Sequence, residues 1–74
     1  MISIVTPVFN EEDNVIYFHD EVTKVMESLP IDYEIIYVDD GSRDRTSELL
    51  LQLVRRDSHV RALSLAAILD IRLP

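Results

Sequence analysis

Cysteine and tryptophan are missing from this chain, and glycine occurs once. Without cysteine there is no disulfide framework and no thiolate metal site, so whatever core the chain builds has no covalent staple. A single glycine rules out both the Gly-x-Gly-x-x-Gly dinucleotide fingerprint and the P-loop, each of which needs several glycines at set spacing. No apolar run approaches the roughly 20 residues of a membrane-spanning helix. The N-terminus also lacks the basic flank and long apolar stretch of a signal peptide, which gives the expectation of a cytoplasmic chain with no transmembrane segment. Positive charge is scarce: 7 lysines and arginines stand against 14 aspartates and glutamates, a net charge of -7. Such a chain repels a phosphate backbone, so no nucleic-acid partner is expected, and a bare nucleotide phosphate is repelled as well.

What is present fits one small folded unit. The 74 residues are 47% hydrophobic and 28% charged, the mix of a globular segment rather than of a disordered tail. Half the length of an ordinary domain, they cannot hold a two-domain enzyme, and their stability is expected to be marginal.

The pattern along the chain predicts alternating strands and helices. Ile2-Ser3-Ile4-Val5-Thr6-Pro7-Val8 is a β-branched run whose proline removes a ladder donor, which gives a strand over Ile2 to Thr6. From Asp13 onward Val15, Phe18, Val22, Val25, Met26 and Leu29 recur at steps of three and four, the spacing of one helical face. Asn10 is the expected N-cap, Glu11, Glu12 and Asp13 fill the first turn, and Pro30 ends the helix. Tyr33 to Val38 reads as a second strand, apolar enough to be covered on both faces. A second helix from about Asp44 turns Leu49, Leu50, Leu53 and Val54 inward and carries Arg55 and Arg56 in its last turn, where cations suit the dipole. His59 to Leu65 reads as a third strand, with Val60, Ala62 and Leu65 as core candidates. Strand, helix, strand, helix, strand with short loops is a βαβαβ unit with a parallel sheet and right-handed crossovers. Ala66 to Pro74 shows no clean period.

In an open parallel sheet ligands collect beyond the carboxyl ends of the strands. Both polar clusters of the sequence fall there: Pro7-Val8-Phe9-Asn10-Glu11-Glu12 after the first strand and Asp39-Asp40-Gly41-Ser42 after the second. Acidic loops on one rim accept from the N–H donors of a base and from ribose hydroxyls, and Phe9 offers a flat apolar surface to a ring. The structural alternative is an ordinary turn, since Asp and Ser cap helices and Gly accepts positive φ. His19 is expected on a solvated helical face, and His59 has no second histidine at ligand spacing. No serine sits in a Gly-x-Ser-x-Gly elbow. The arginines at 43, 45, 55, 56 and 61 read as an exposed face, and Tyr17 and Tyr37 as packing residues. A haloacid dehalogenase-type phosphatase is excluded because Val38 occupies its nucleophile position. A receiver-like signalling module shares paired acids beside a parallel sheet but needs a further Asp and a Lys on later strands.

Two segments, Ser3 to Glu12 and Tyr33-Glu34-Ile35-Ile36-Tyr37-Val38-Asp39-Asp40-Gly41-Ser42-Arg43-Asp44-Arg45-Thr46, about thirty residues apart, resemble the start of a family 2 glycosyltransferase of the GT-A fold. The nearest subgroup is the polyprenyl-phosphate transferases, and the likeness covers residues 1–66. The resemblance implies a Rossmann-like half of a nucleotide-diphospho-sugar transferase fold. It implies a site for a UDP- or GDP-sugar formed by Pro7, Phe9, Asn10, Glu11, Asp39, Asp40, Gly41 and Ser42, with Asp40 in the larger role. It also implies hexose transfer to a lipid-phosphate acceptor, with Mg2+ or Mn2+ neutralising the diphosphate leaving group. A small self-contained nucleotide-binding or interaction module is the alternative.

The family's Asp-x-Asp metal motif, acceptor residues and membrane helices match nothing here, so the resemblance implies donor loops without catalytic residues or metal ligands. The fragment alone is expected to be inactive, and the intact parent is expected at the cytoplasmic face of the membrane. The strand that would pair with the first one is also missing from the pattern, an open apolar edge prone to aggregation. After Leu63-Ser64-Leu65-Ala66 the family commonly continues Arg-Asn-Phe-Gly-His-Gln-Ala-Ala-Leu-Thr. In one coding of that segment, deleting the first base of the Arg codon yields Ala-Ile-Leu-Asp-Ile-Arg-Leu-Pro and a stop, which is Ala67 to Pro74. Residues 67–74 are therefore expected to be a frameshifted tail without a selected role. Genomic sequencing checks this: the frame one base over must continue into a glycosyltransferase, and any other continuation removes the idea.

Overall fold

The computed structural model describes residues 1–65 and 69–71. Its elements run β1 (Ile2–Val8), α1 (Val15–Glu27), β2 (Tyr33–Asp39), α2 (Thr46–Arg56), β3 (Val60–Ser64) and β4 (Leu69–Ile71). The sheet order is β1-β2-β3-β4, with the first three strands parallel and β4 antiparallel to β3. This is the expected βαβαβ unit with one strand added. Leu69 to Ile71 pair by their backbone with Ser64 to Ala62, an edge of β3 whose ladder groups would otherwise lack partners. The expectations for residues 66–68 and 72–74 lie outside the described residues.

β1 extends two residues beyond the predicted end and contains Pro7. Ile2 donates its N–H to the Asp32 carbonyl and Val8 accepts from the Asp40 N–H, at 2.9 and 3.0 Å. With a strand period of two, Ile2, Ile4, Thr6 and Val8 therefore turn their backbone groups toward β2. Pro7 falls on the alternate set, so its missing N–H faces the outer edge and leaves the ladder intact while blunting that edge.

Both crossovers step in the same direction across the sheet, which places α1 and α2 on one face. The core lies between them and the sheet: Val8, Val15, Met26, Tyr33, Ile35, Tyr37, Leu50, Leu53, Val60 and Ala62. On β2 the alternate residues Glu34, Ile36 and Val38 point to the other face and are half-buried. The expectation of cover on both faces is thus corrected for the described elements; Val5 on that open face is 63% exposed.

The buried stripe of α1 is Val15, His19 and Met26, with Val22 packed beside it. These positions step by four, three and four, so the helix is rotated from the predicted face. Phe18, Val25 and Leu29, expected inside, are exposed; Phe18 and Val25 flank Ile4, Val22 and Met26 beside the outer edge of β1. His19, expected in solvent, is 3% exposed, and Tyr17, expected to pack, is 69% exposed. The physical reason is that imidazole finds two partners on this line, the buried Tyr37 hydroxyl and the half-buried Asp57 carboxylate, which offset the cost of desolvating it.

Asn10 is not the N-cap. α1 begins at Val15 after a turn in which the Asn14 and Val15 N–H groups both donate to the Glu11 carbonyl, and its first turn holds no acidic residue. The helix ends at Glu27, two residues before Leu29, whose αR conformation is disfavoured by the following Pro30. α2 buries Thr46, Leu50 and Leu53 with Leu49 and Val54 packed alongside, close to prediction. Leu65, a core candidate, is exposed.

Candidate functional site

The two polar loops meet beyond the carboxyl ends of β1 and β2. Asn10 has φ 50°, in the left-handed region that Asn tolerates best among non-glycine residues, and Gly41 has φ 79°. These two reversals bring the loops edge to edge. The Asn10 N–H donates to Ser42 Oγ at 2.9 Å, and the Arg43 N–H donates back to Asn10 Oδ1 at 2.8 Å. Glu11 and Glu12 donate their N–H groups to Thr46 Oγ1 and Asp44 Oδ2, at 2.8 and 3.2 Å.

The adjacent acids Asp39 and Asp40 have different surroundings. Asp39 is 1% exposed. Its Oδ1 accepts from the Ser42 N–H at 3.0 Å and its Oδ2 from the Ser47 hydroxyl. Asp40 is exposed, and its backbone N–H donates to the Val8 carbonyl. Phe9 is exposed on the same rim, Glu11 and Ser42 are half-buried, and Pro7 is exposed at the outer edge of β1. Pro7 and Glu11 also line a pocket of about 230 Å³ with Thr6, Val8, Asn14, Val15 and Phe18.

Three residues of this loop pair were not singled out from the sequence: Asp44, Thr46 and Ser47. Asp-x-Thr ahead of a helix is a capping signal that points to the first two. Desolvation pushes the Asp44 carboxyl up, but hydrogen bonds from the Thr46 hydroxyl and from the Thr46 and Glu12 backbone N–H groups outweigh it and hold Asp44 below the ordinary carboxylate range.

A second polar cluster sits at the opposite end of the sheet. His19 Nδ1 is 2.8 Å from the Tyr37 hydroxyl and His19 Nε2 is 3.0 Å from Asp57 Oδ2, while Asp57 Oδ1 is 3.0 Å from His59 Nδ1. His59 stacks on Tyr33 with ring centroids 4.2 Å apart. A wide groove of about 450 Å³ runs over His19, Asp57 and His59, larger than the pocket beside Pro7 but remote from both loops.

A divalent ion does not find its ligand set in these residues. Asp39 has both oxygens occupied, Asp40 is a single carboxylate, and among the described residues no group of three or more His, Asp or Glu side chains is placed to hold a metal.

Residues 3–67 match the sequence profile described as glycosyl transferase family 2. The chain belongs to that family. A bactoprenol glucosyl transferase of Shigella phage SfV is 40% identical over 63 residues, covering 85% of this chain and 20% of the relative. An undecaprenyl-phosphate 4-deoxy-4-formamido-L-arabinose transferase of Yersinia pestis is 43% identical over 65 residues, covering 86% and 20%. An uncharacterized glycosyltransferase of Synechocystis sp. is 37% identical over 65 residues, covering 88% and 20%. This family 2 chain thus spans about a fifth of the length of these relatives. Among its described residues no helix is long and apolar enough to cross a membrane.

Proposed function

We propose that this chain is the donor-nucleotide part of a glycosyltransferase that moves a hexose from a UDP- or GDP-sugar to a polyprenyl phosphate at the cytoplasmic face of a membrane. The observation that carries the reading is the joined loop pair beyond β1 and β2, which holds an exposed Asp40 and an exposed Phe9 at one end of the sheet, the Asp40 N–H bonded to the carbonyl of Val8, the residue before Phe9. Asp40 accepts from a base N–H or a ribose hydroxyl, Phe9 covers a face of the base, and Gly41 and Ser42 shape the turn between them. Asn10, Glu11 and Asp39 hold this wall in place through their hydrogen bonds, and Pro7 lines the pocket beside it. The names of the relatives from Shigella phage SfV and Yersinia pestis support a lipid-phosphate acceptor.

In the transfer an oxygen of the lipid phosphate bonds to the sugar's anomeric carbon as the bond from that carbon to the nucleoside diphosphate breaks. The residues described here bind and orient the donor, and none is assigned to the bond-making step. A divalent ion such as Mg2+ or Mn2+ would supply charge neutralisation to the diphosphate, and the residues described here do not hold it.

Isothermal titration of the chain with UDP, UDP-glucose and GDP-mannose, with and without Mn2+, tests the reading. Weak binding is expected, and Asp40→Ala should reduce it by about tenfold, the loss of one charged hydrogen bond. A well-folded chain that binds none of the three, or an Asp40→Ala chain that binds as the parent does, removes the donor-site assignment.

A further inference from the structure

Thr46 is fully buried, yet its hydroxyl is used twice. It donates to Asp44 Oδ1 and accepts from the Glu11 N–H. Asp44 in turn accepts from three groups: the Thr46 hydroxyl, the Thr46 N–H and, from the other loop, the Glu12 N–H. The two donors from the first loop, Glu11 and Glu12, belong to the lead-in of α1, a helix whose own N-cap residue makes no side-chain hydrogen bond. Backbone donors drawn away from water need partners, and here those of Glu11 and Glu12 come from Thr46 and Asp44 at the start of α2. The Asp44 carboxylate therefore holds the first N–H of α2 and, with the Thr46 hydroxyl, ties down the approach to α1.

We propose that Asp44 and Thr46 are positioning residues that hold the loop Phe9–Glu12 against the loop Asp39–Ser42, so that a nucleotide meets a preformed wall. The proposal rests on the donor-site reading above. Thr46 cannot touch a ligand from its buried position, so any effect it has on affinity passes through its two partners, the Glu11 N–H and the Asp44 carboxylate that holds Glu12. A loop released from this latch would have to be ordered at the moment of binding, and that ordering weakens affinity.

Two measurements on the same variants separate the latch from the site. Thr46→Val keeps the shape and removes the acceptor, Thr46→Ser restores it, and Asp44→Ala releases the Glu12 N–H. Amide exchange followed residue by residue is expected to speed up about tenfold at Glu11 in Thr46→Val and at Glu12 in Asp44→Ala, the loss of one hydrogen bond, with Ile35 in the core unchanged. Affinity for UDP and GDP should fall about fivefold in both variants, and Thr46→Ser should restore both readouts. Unchanged exchange at Glu11 and Glu12 overturns the latch, and faster exchange with unchanged affinity overturns the positioning role. If the parent chain binds neither UDP nor GDP while those amides are protected, the donor-site reading falls and takes the positioning role with it. Should Thr46→Val fail to fold, Asp44→Ala alone decides the same questions at Glu12.

Discussion

An Asp39→Ala chain is expected to lose about 3 kcal/mol of stability, whereas Asp40→Ala, one residue along, should stay within about 0.5 kcal/mol of the parent. The two carboxylates are neighbours in sequence but sit on opposite sides of the boundary between protein and solvent. Asp39 is buried, and removing its carboxylate leaves the Ser42 N–H and the Ser47 hydroxyl, both on half-buried residues, without their acceptor. An unpaired buried donor costs more than the hydrogen bond it lost was worth. Asn at this position keeps one oxygen for the Ser42 N–H, and its amide can donate to the Ser47 hydroxyl, so Asp39→Asn should cost about 1 kcal/mol. Urea midpoints followed by circular dichroism check the three variants. Equal losses for Asp39→Ala and Asp40→Ala would show that the division of labour between them is wrong.

The second large effect is expected at Asp57, with a matching dependence on pH. The Tyr37 hydroxyl, the His19 ring and the Asp57 carboxylate form a line in which Tyr37 donates to Nδ1 and Nε2–H donates to Asp57, the tautomer that satisfies every group. Asp57→Ala should cost about 2 to 3 kcal/mol, because the buried His19 and the nearby His59 lose their shared acceptor. Desolvation pushes Asp57 up, but the His59 N–H and ring and the His19 ring outweigh it and leave its pKa lowered. Asp44 is lowered as well. A carboxylate whose folded pKa is depressed contributes stability that is complete above its unfolded value and lost as pH falls through the folded one. The chain should therefore weaken as pH drops below the ordinary aspartate value of 3.8, and the acid limb should be shallower in Asp57→Ala.

At the alkaline end the sign reverses. Burial, and then the charges of Asp57 and Asp20, push the Tyr37 phenol up, and burial with Asp57 and Glu27 does the same to Tyr33. Their stabilisation is complete below 10.0 and is lost as pH rises beyond it, so Tyr37→Phe should flatten that limb. Thermal melts across pH read both limbs. An acid limb that is as steep in Asp57→Ala as in the parent would mean that other carboxylates set it.

The order of elements and the face of α2 were legible because period and punctuation act locally. Leu49, Leu50, Leu53 and Val54 repeat at helical steps, and Pro30 stops the helix before it whatever the rest of the chain does. The two loops were legible for the same reason: Asp-Asp-Gly-Ser after a β-branched run, and Pro-Val-Phe-Asn-Glu after another, fall at strand ends in any parallel sheet. The roles of neighbouring residues within those loops were not legible. Asp39 and Asp40 are the same residue type with the same local neighbours, and the folded turn at Ser42 and the position of Ser47 on α2 make one of them a buried acceptor. Asn10 reads as a cap from its neighbours and becomes a cross-loop partner because Ser42 and Arg43 are brought beside it.

The sequence by itself determined the alternation of strands and helices, the placing of both polar loops at one end of a parallel sheet, and the family whose pattern those loops carry. Tertiary structure alone decided which face of α1 is buried. A histidine counts as polar in any local reading, and only the arrival of Tyr37 from β2 and Asp57 from the end of α2 makes its burial favourable. It also decided that, among the described residues, one face of β2 carries no helix and is only half-buried, because same-direction crossovers stack both helices on one side of the sheet. The joining of the loops through Asp44 and Thr46 belongs to the same class: hydrogen bonds between residues more than thirty positions apart depend on geometry that no local spacing contains.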